Sequence, residues 1–532
     1  MTMYDLLIKN GIIIDGTGEK RYQADIGIEG GKIVYIGNDY DQTAKEIIEA
    51  EGFLITPGFI DCHSHSDVAL LVETRARNKL LQGITTEITG NCGDSVLTST
   101  DGFFEEIKPY IYDEQYQALL NIPWNAKDVI HYIEQSSLGT NIAFLAGHGT
   151  IRENVMGNGN RPPSNVEMEQ MKSLVREAME AGALGMSTGL LYPPGVYAKE
   201  DELVELSKVV GEYNGFYASH IRDEGNYVIN SVQEAISIGQ KAQLPILISH
   251  HKIAGRQNWG KSEETLKLIE EANQSGIKVR LDQYPYIASC TGLSSTLPPK
   301  YEADGLDSLM KRLKDQAIRQ EIKQLIIKND GDFENMIVSN GFEGILIVVA
   351  PKTKEVCGKT IAQIAAETNQ DPYEVIFDLL VENNGNVTAV YFEMDDIDIE
   401  RIMAYHYTMG GSDGGSMIDE MPVEHPRVTG TFIRIISDYI RSRKIVPLEE
   451  GIRKLTSMPA EFAGFKTKGI IKVGYDADLV ILDYENLKDH ADFTNPGTPN
   501  QGVKYVLVNG RIAVKNDQIT GICAGKIIRH QN

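Results

Sequence analysis

The sequence predicts an α/β protein: a TIM-like (β/α)8 barrel, a small β-sandwich domain built from both chain ends, and a subdomain inserted into the barrel. Three observations carry this expectation. Short β-branched runs punctuated by Gly and Asp stand at both ends of the chain. Between them, apolar runs alternate with stretches of helical periodicity. Residue types able to ligate a metal stand at the C-terminal ends of several of those runs.

The amino end offers runs at 5–11, 12–16, 24–28 and 32–37, broken by Asn10-Gly11 and Asp15-Gly16, as hairpins require. The carboxyl end repeats the style at 477–482, 505–510 and 511–514. Each group alone would cover only a poor core, so the economical arrangement pairs them into one β domain of residues 1–56 and 466–532.

Apolar runs then appear at 53–60, 85–89, 141–146, 184–188, 215–219, 245–249, 277–281 and 403–409. Residues 166–181 carry apolar side chains at 168, 171, 174, 175, 178 and 181, one face of a helix; 227–242 and 264–272 are similar. Strands alternating with helices predict a parallel sheet, and eight of them predict a barrel over 57–465. The gap from 285 to 402 is too long for one crossover helix. It holds polar helical sequence near 304–328 and the run Gly344-Ile345-Leu346-Ile347-Val348-Val349. We read an inserted subdomain around 287–385, placed as a lid would be.

Composition narrows the function. The 532 residues are 42% hydrophobic and 24% charged, which excludes disordered, collagen-like and coiled-coil chains. Acidic residues number 75 against 51 basic ones, a net charge of −24. That balance disfavours nucleic acid and anionic membranes as partners and promotes solubility. Cysteines at 62, 92, 290, 357 and 523 form no CxxC pair, which points to a reducing compartment. The start of the chain shows no signal-peptide pattern, and no apolar stretch reaches 18 residues, so the cytoplasm is expected.

His63-Ser64-His65 is the sharpest local signal. On a strand, positions i and i+2 project to the same face, so both imidazoles point together at the end where a barrel keeps its active site. Other runs end alike: Thr89-Gly90-Asn91-Cys92-Gly93, Ala218-Ser219-His220, Ile248-Ser249-His250 and Gly411-Ser412-Asp413-Gly414. His63, His65, Cys92, His220, His250 and Asp413 are thus candidate ligands for zinc or a similar ion.

Pro57-Gly58-Phe59-Ile60-Asp61-Cys62-His63-Ser64-His65 resembles the first-strand signature of the amidohydrolase superfamily. Within it, the chain is most similar to the N-acyl-D-amino-acid deacylases (D-aminoacylases). The supporting segments include Gly90-Asn91-Cys92-Gly93, Ser187-Thr188-Gly189-Leu190-Leu191-Tyr192-Pro193-Pro194, His220-Ile221-Arg222-Asp223-Glu224, Ser249-His250-His251-Lys252 and His425-Pro426-Arg427-Val428-Thr429-Gly430-Thr431-Phe432. They run through nearly the whole chain, and the inserted segment matches least.

The resemblance implies zinc-dependent amide hydrolysis of a small-molecule N-acyl amino acid. Cys92 would stand where many relatives carry a bridging carboxylated lysine. With His220 and His250 it would hold one zinc tightly, and His63, His65 and Asp413 would form a second, weaker site. Asp413 would shuttle the proton between water and amine; the plainer alternative is a turn or N-cap residue. Lys252, Tyr192 and Tyr284 would bind the substrate carboxylate, against a solvated lysine and wall-packing tyrosines, with Tyr286 an alternative to Tyr284. His148 either approaches the site or packs, His251 points away from His250, Cys62 belongs to the core, and Arg427 ties a loop or supports the site. Glu393 is a candidate specificity residue that would disfavour acidic substrates. A cyclic-amide hydrolase of hydantoinase or dihydropyrimidinase type is the runner-up, and a non-enzymatic scaffold the third reading. The oligomeric state is open.

Overall fold

The computed structural model describes residues 3–38, 43–99, 117, 119–120, 125–329, 333–419 and 421–530. The predicted end ranges 1–56 and 466–532 therefore include a few positions outside the described residues.

The two ends do pair, in a nine-stranded sheet. Its order runs from the C-terminal strands Gln518–Ile519, Arg511–Lys515, Val503–Val508 and Leu479–Leu482 to Leu54–Pro57, then Met3–Ile13, Tyr22–Glu29 and Lys32–Gly37. Thr43–Glu49 pairs in parallel with Met3–Ile13. The junction between the ends is antiparallel, with Leu482 opposite Leu54 and Leu479 opposite Pro57. Residues from both ends, among them Leu6, Ile26, Ile55, Leu479 and Leu507, share one buried apolar cluster.

The apolar run at 53–60 is not one strand. It divides at Gly58: Leu54–Pro57 belongs to the end sheet, whereas Phe59–Asp61 pairs in parallel with Ile84–Thr89. A Cβ on Gly58 would lie 2.1 Å from Thr85 Oγ1, so only glycine lets the chain pass from one sheet to the other here. The run at 403–409 divides too. Its first residues end the helix Asp396–Ala404, and only Thr408–Gly410 is strand. Both departures arise because apolar continuity marks burial, and burial continues through a change of partner or of element.

The middle of the chain is α/β. Phe59–Asp61, Ile84–Thr89 and Asn141–Phe144 form one parallel sheet. Ala146–Gly147, Gly185–Gly189, Phe216–His220, Ile246–Ile248, Val279–Gln283 and Thr408–Gly410 form a second, hydrogen-bonded in chain order and parallel throughout. Beyond the last and first strands, Asp413 donates its N–H to the His63 carbonyl (2.8 Å) and His65 to that of Gly414 (3.2 Å).

Helices connect the strands. Asn165–Ala181 starts at a Ser164–Glu167 capping box, ends at left-handed Gly182, and buries Met171, Val175, Ala178 and Met179. Ser289–Gly292 and Ile345–Val349 of the predicted insertion flank Thr388–Tyr391, just beyond its predicted end at 385, in an antiparallel sheet. It packs with nearby helices around Leu293, Leu313, Ile347, Phe377 and Tyr391.

Candidate metal centre

The C-terminal ends of the parallel strands face a cavity of about 680 Å³. One potential ligand atom each from His63, Cys92, His250 and Asp413 lies within 4.8 Å of all the others, and His220, Glu224 and His250 form a second such group. His250 belongs to both. The grouping thus differs from the sequence expectation, which set Cys92 with His220 and His250 apart from His63, His65 and Asp413.

Local backbone geometry explains how strand ends deliver side chains inward. Cys92, His250 and Asp413 all have positive φ (53°, 35° and 51°), a strained setting for residues other than glycine. Asp413 follows Gly411, where a Cβ would come within 2.6 Å of Asp282 Oδ1 and 2.8 Å of His63 Cβ. The first and last strands could not approach this closely with any other residue there.

His63 Nε2 lies 3.4 Å from Cys92 Sγ and 3.4 Å from Asp413 Oδ1. Its Nδ1 is 3.2 and 3.3 Å from the two oxygens of buried Asp282. An Nδ1–H donated to Asp282 leaves the Nε2 lone pair facing the cluster. His250 repeats the device: Nε2 is 3.4 Å from Cys92 Sγ and Nδ1 is 3.1 Å from Glu224 Oε1. Lys252 Nζ also lies 2.8 Å from that Nδ1. Both contacts cannot be hydrogen bonds at once, and an Nδ1–H held by Glu224 is the form that keeps Nε2 available. His65 Nε2 meets Asp413 Oδ1 at 3.0 Å, with its side chain 33% exposed at the cavity edge.

The electrostatics suit a cation. Burial pushes the Cys92 thiol up, but His63 and His250 beside it draw it well below the ordinary thiol range. Burial also opposes ionisation of Asp413, yet Arg427 and His250 hold it well below the usual carboxylate range. Arg427 donates to Asp413 Oδ2 at 2.6 Å. His220 is buried, and neither of its ring nitrogens has a hydrogen-bond partner. A buried imidazole with two unsatisfied nitrogens is costly unless something occupies one of them. A thiol drawn toward its anion, carboxylates, and imidazoles that release a proton on ligation are together a zinc-type donor set.

The other predicted site residues are placed as follows. Tyr192, Lys252 and Tyr284 line the cavity. Tyr284 keeps a buried hydroxyl without a partner, whereas Lys252 Nζ donates to both Glu224 oxygens at 2.7 Å. Tyr286 instead donates to the Pro426 carbonyl. His148 packs on Glu202, His251 on Thr265, and Cys62 is buried under Gly410. Arg427 and Glu393 both reach the cavity.

Sequence reasoning missed Asp282 and Glu224. Asp282 also accepts the His250 N–H at 2.9 Å, so it fixes two ring-bearing residues at once. The available signal was an acid ending the strand after the 277–281 run.

Strand-end ligand types on parallel sheets, converging on one buried thiol, define a metal-centre class of α/β protein. Residues 46–514 match the amidohydrolase family model, and the chain belongs to that family. It is 32% identical to the D-aminoacylase of Alcaligenes xylosoxydans xylosoxydans, over 99% of this chain and 97% of that protein. It is also 32% identical to the N-acyl-D-aspartate deacylase of the same organism, over 95% and 91%. Among solved structures, N-acyl-D-glutamate deacylase from Bordetella bronchiseptica, complexed with zinc and a phosphonate inhibitor that mimics the tetrahedral intermediate, is similar with a TM-score of 0.82. There the identity is 31%, covering 99% of this chain and 100% of that one. Among the described residues, no helix is long and apolar enough to cross a membrane.

Proposed function

We propose that this chain is a zinc-dependent hydrolase of N-acyl-D-amino acids, releasing a carboxylate and the free D-amino acid. The observation that carries it is buried His220, unsatisfied on both nitrogens, beside a thiol drawn toward its anion. His63, His65, Cys92, His220, His250 and Asp413 would hold the metal, with Cys92 and His250 at the centre and the exposed edge at His65 the weaker end. When bound, the metal supplies carbonyl polarisation and a more acidic water.

The chain's own residues supply the rest. Asp413 accepts the proton of the attacking water as its oxygen bonds to the carbonyl carbon, and returns it to the amine nitrogen as the C–N bond breaks. Arg427 on Oδ2 keeps that carboxylate ionised and oriented beforehand. Asp282 and Glu224 fix the His63 and His250 rings. Tyr284, Tyr192 and Lys252 receive the substrate carboxylate, with the Tyr284 hydroxyl free to donate.

We take the two parallel sheets as one closed (β/α)8 barrel of residues 57–465, counting Asn141–Phe144 and Ala146–Gly147 as one strand interrupted at Leu145, supported by the bonds between the His63 and Asp413 segments. The β domain of 1–56 and 466–532 and the insertion around 287–385 complete the division. Five free cysteines suit a reducing compartment such as the cytoplasm. A cyclic-amide hydrolase of hydantoinase type is the weaker reading, because a bridging lysine would be expected where Cys92 stands.

Zinc-supplemented protein incubated with racemic N-acetylmethionine should release D-methionine alone, and His220→Ala or Asp413→Ala should abolish release. Release of L-methionine would retain the chemistry and remove the stereochemical assignment. Ring opening of a hydantoin with no release from N-acetylmethionine would favour the runner-up.

A further inference from the structure

Relatives named D-aminoacylase, N-acyl-D-aspartate deacylase and N-acyl-D-glutamate deacylase match at nearly the same identity, so likeness does not choose the side chain. The cavity wall is more selective. Of its two Lys and Arg side chains, Arg427 is held by Asp413 at 2.6 Å, and Lys252, on Glu224 at 2.7 Å, is the one assigned to the substrate's α-carboxylate, so neither is left for the substrate side chain. Beside apolar and hydroxyl side chains such as Leu191, Met417, Val423 and Ser289, further carboxylates line the space. Glu393 and Glu334 line the same cavity, are 2% and 4% exposed, and form no ion pair among the described residues. Glu393 is held in place: Ser289 Oγ donates to Oε1 at 2.5 Å and Asn340 Nδ2 to Oε2 at 3.1 Å. Glu334 Oε2 accepts the Glu224 N–H at 2.8 Å. Independently, the buried and unpartnered Tyr284 hydroxyl opens into this cavity, so the cavity is incomplete without a polar ligand.

Two oriented carboxylates buried without a cation carry a desolvation cost that a cationic ligand removes. An acidic side chain placed against Glu393 and Glu334 would meet like charge. We propose that the Glu393–Glu334 wall is the side-chain subsite, and that the substrates are N-acyl-D-amino acids bearing an amino or guanidino group. This rests on the deacylase reading above.

The test compares kcat/KM of the zinc-replete full chain for Nα-acetyl-D-arginine, Nα-acetyl-D-lysine, N-acetyl-D-methionine and N-acetyl-D-glutamate. The two cationic substrates should exceed methionine by about tenfold, the worth of one charged hydrogen bond, with glutamate slowest. Glu393→Gln should lower the arginine-to-methionine ratio by about tenfold, and Glu393→Asp should retain part of it. Should Glu393→Gln fail to fold, the wild-type order still decides, and Glu334→Gln serves as the second variant. Methionine or glutamate preferred by the wild type, or a ratio unmoved in a folded Glu393→Gln, overturns the subsite while leaving the deacylase reading intact. No cleavage of any of the four overturns both.

Discussion

The protein buries charge in opposite ways beneath and above its candidate metal centre. Beneath, Lys79 is fully buried with Nζ 2.8 Å from Asp61, 3.4 Å from Glu87, 3.0 Å from Ser412 Oγ and 2.6 Å from the Gly414 carbonyl. Glu87 in turn accepts from Ser64 at 2.7 Å and Thr140 at 2.7 Å. Every charge there has a partner, and the network ties the His63-Ser64-His65 segment to the Ser412-Asp413-Gly414 segment. Above, Glu393 and Glu334 face a cavity with no cation of their own. Balanced buried charge is scaffold, because it fixes geometry and asks nothing of solvent. Unbalanced buried charge in a cavity is a demand for a ligand.

Removing the cation from the balanced side should have the largest effect. Lys79→Met would leave Asp61 and Glu87 buried and uncompensated, and should cost about 3–5 kcal/mol of stability in urea unfolding. A cost below about 1 kcal/mol would mean that the lower network is no more demanding than a surface pair, and the contrast would fail.

Glu224 stands between the two regions. It binds Lys252 and orients His250, yet it borders the acidic wall. Glu224→Gln keeps the shape and removes the charge that holds the His250 ring. Zinc affinity, read by competition with a chelator on the folded protein, should fall about 10- to 100-fold, and the unfolding midpoint should fall as well, because Lys252 loses its buried carboxylate partner. Unchanged affinity would make Glu224 a packing residue and move the border of the scaffold outward.

How far the sequence revealed this site follows from how each residue signals. His63, His65, Cys92, His220 and His250 were legible because each closes a strand-like run with a residue type that is rare there, and Asp413 because it stands with Gly411-Ser412 and Gly414 at the end of the last such run. Asp282 and Glu224 carry no such mark, since acids are common at strand ends and in loops, and only the fold shows which imidazole they face. Lys79 was invisible for a related reason. A lysine at the end of a short helical turn looks solvated until the Asp61 carboxylate is found 2.8 Å away. The end-to-end β sheet was legible from runs at both termini. The division at Gly58 was not, because Leu54–Pro57 and Phe59–Asp61 are equally apolar and change only their partners.

The smallest expected effect tests the upper region by pH. Glu302 also lines the cavity, and burial alone pushes its carboxyl from 4.5 up to about 7. Below the unfolded value it is protonated in both states and costs nothing. As pH rises from there toward 7, the unfolded chain has released a proton that the folded chain still holds, so stability declines; above 7 the full cost of a buried charge remains. Glu302 is partly exposed, which limits that cost to about 1 kcal/mol. Glu302→Gln removes the titration. Its stability relative to wild type should therefore rise by about 1 kcal/mol between about pH 4 and about pH 8, read from urea unfolding at each pH. A difference that stays flat over that window would show Glu302 solvated and free of cost. The unbalanced wall would then reduce to Glu393 and Glu334, while a rise that a bound cationic substrate suppresses would extend the subsite to all three.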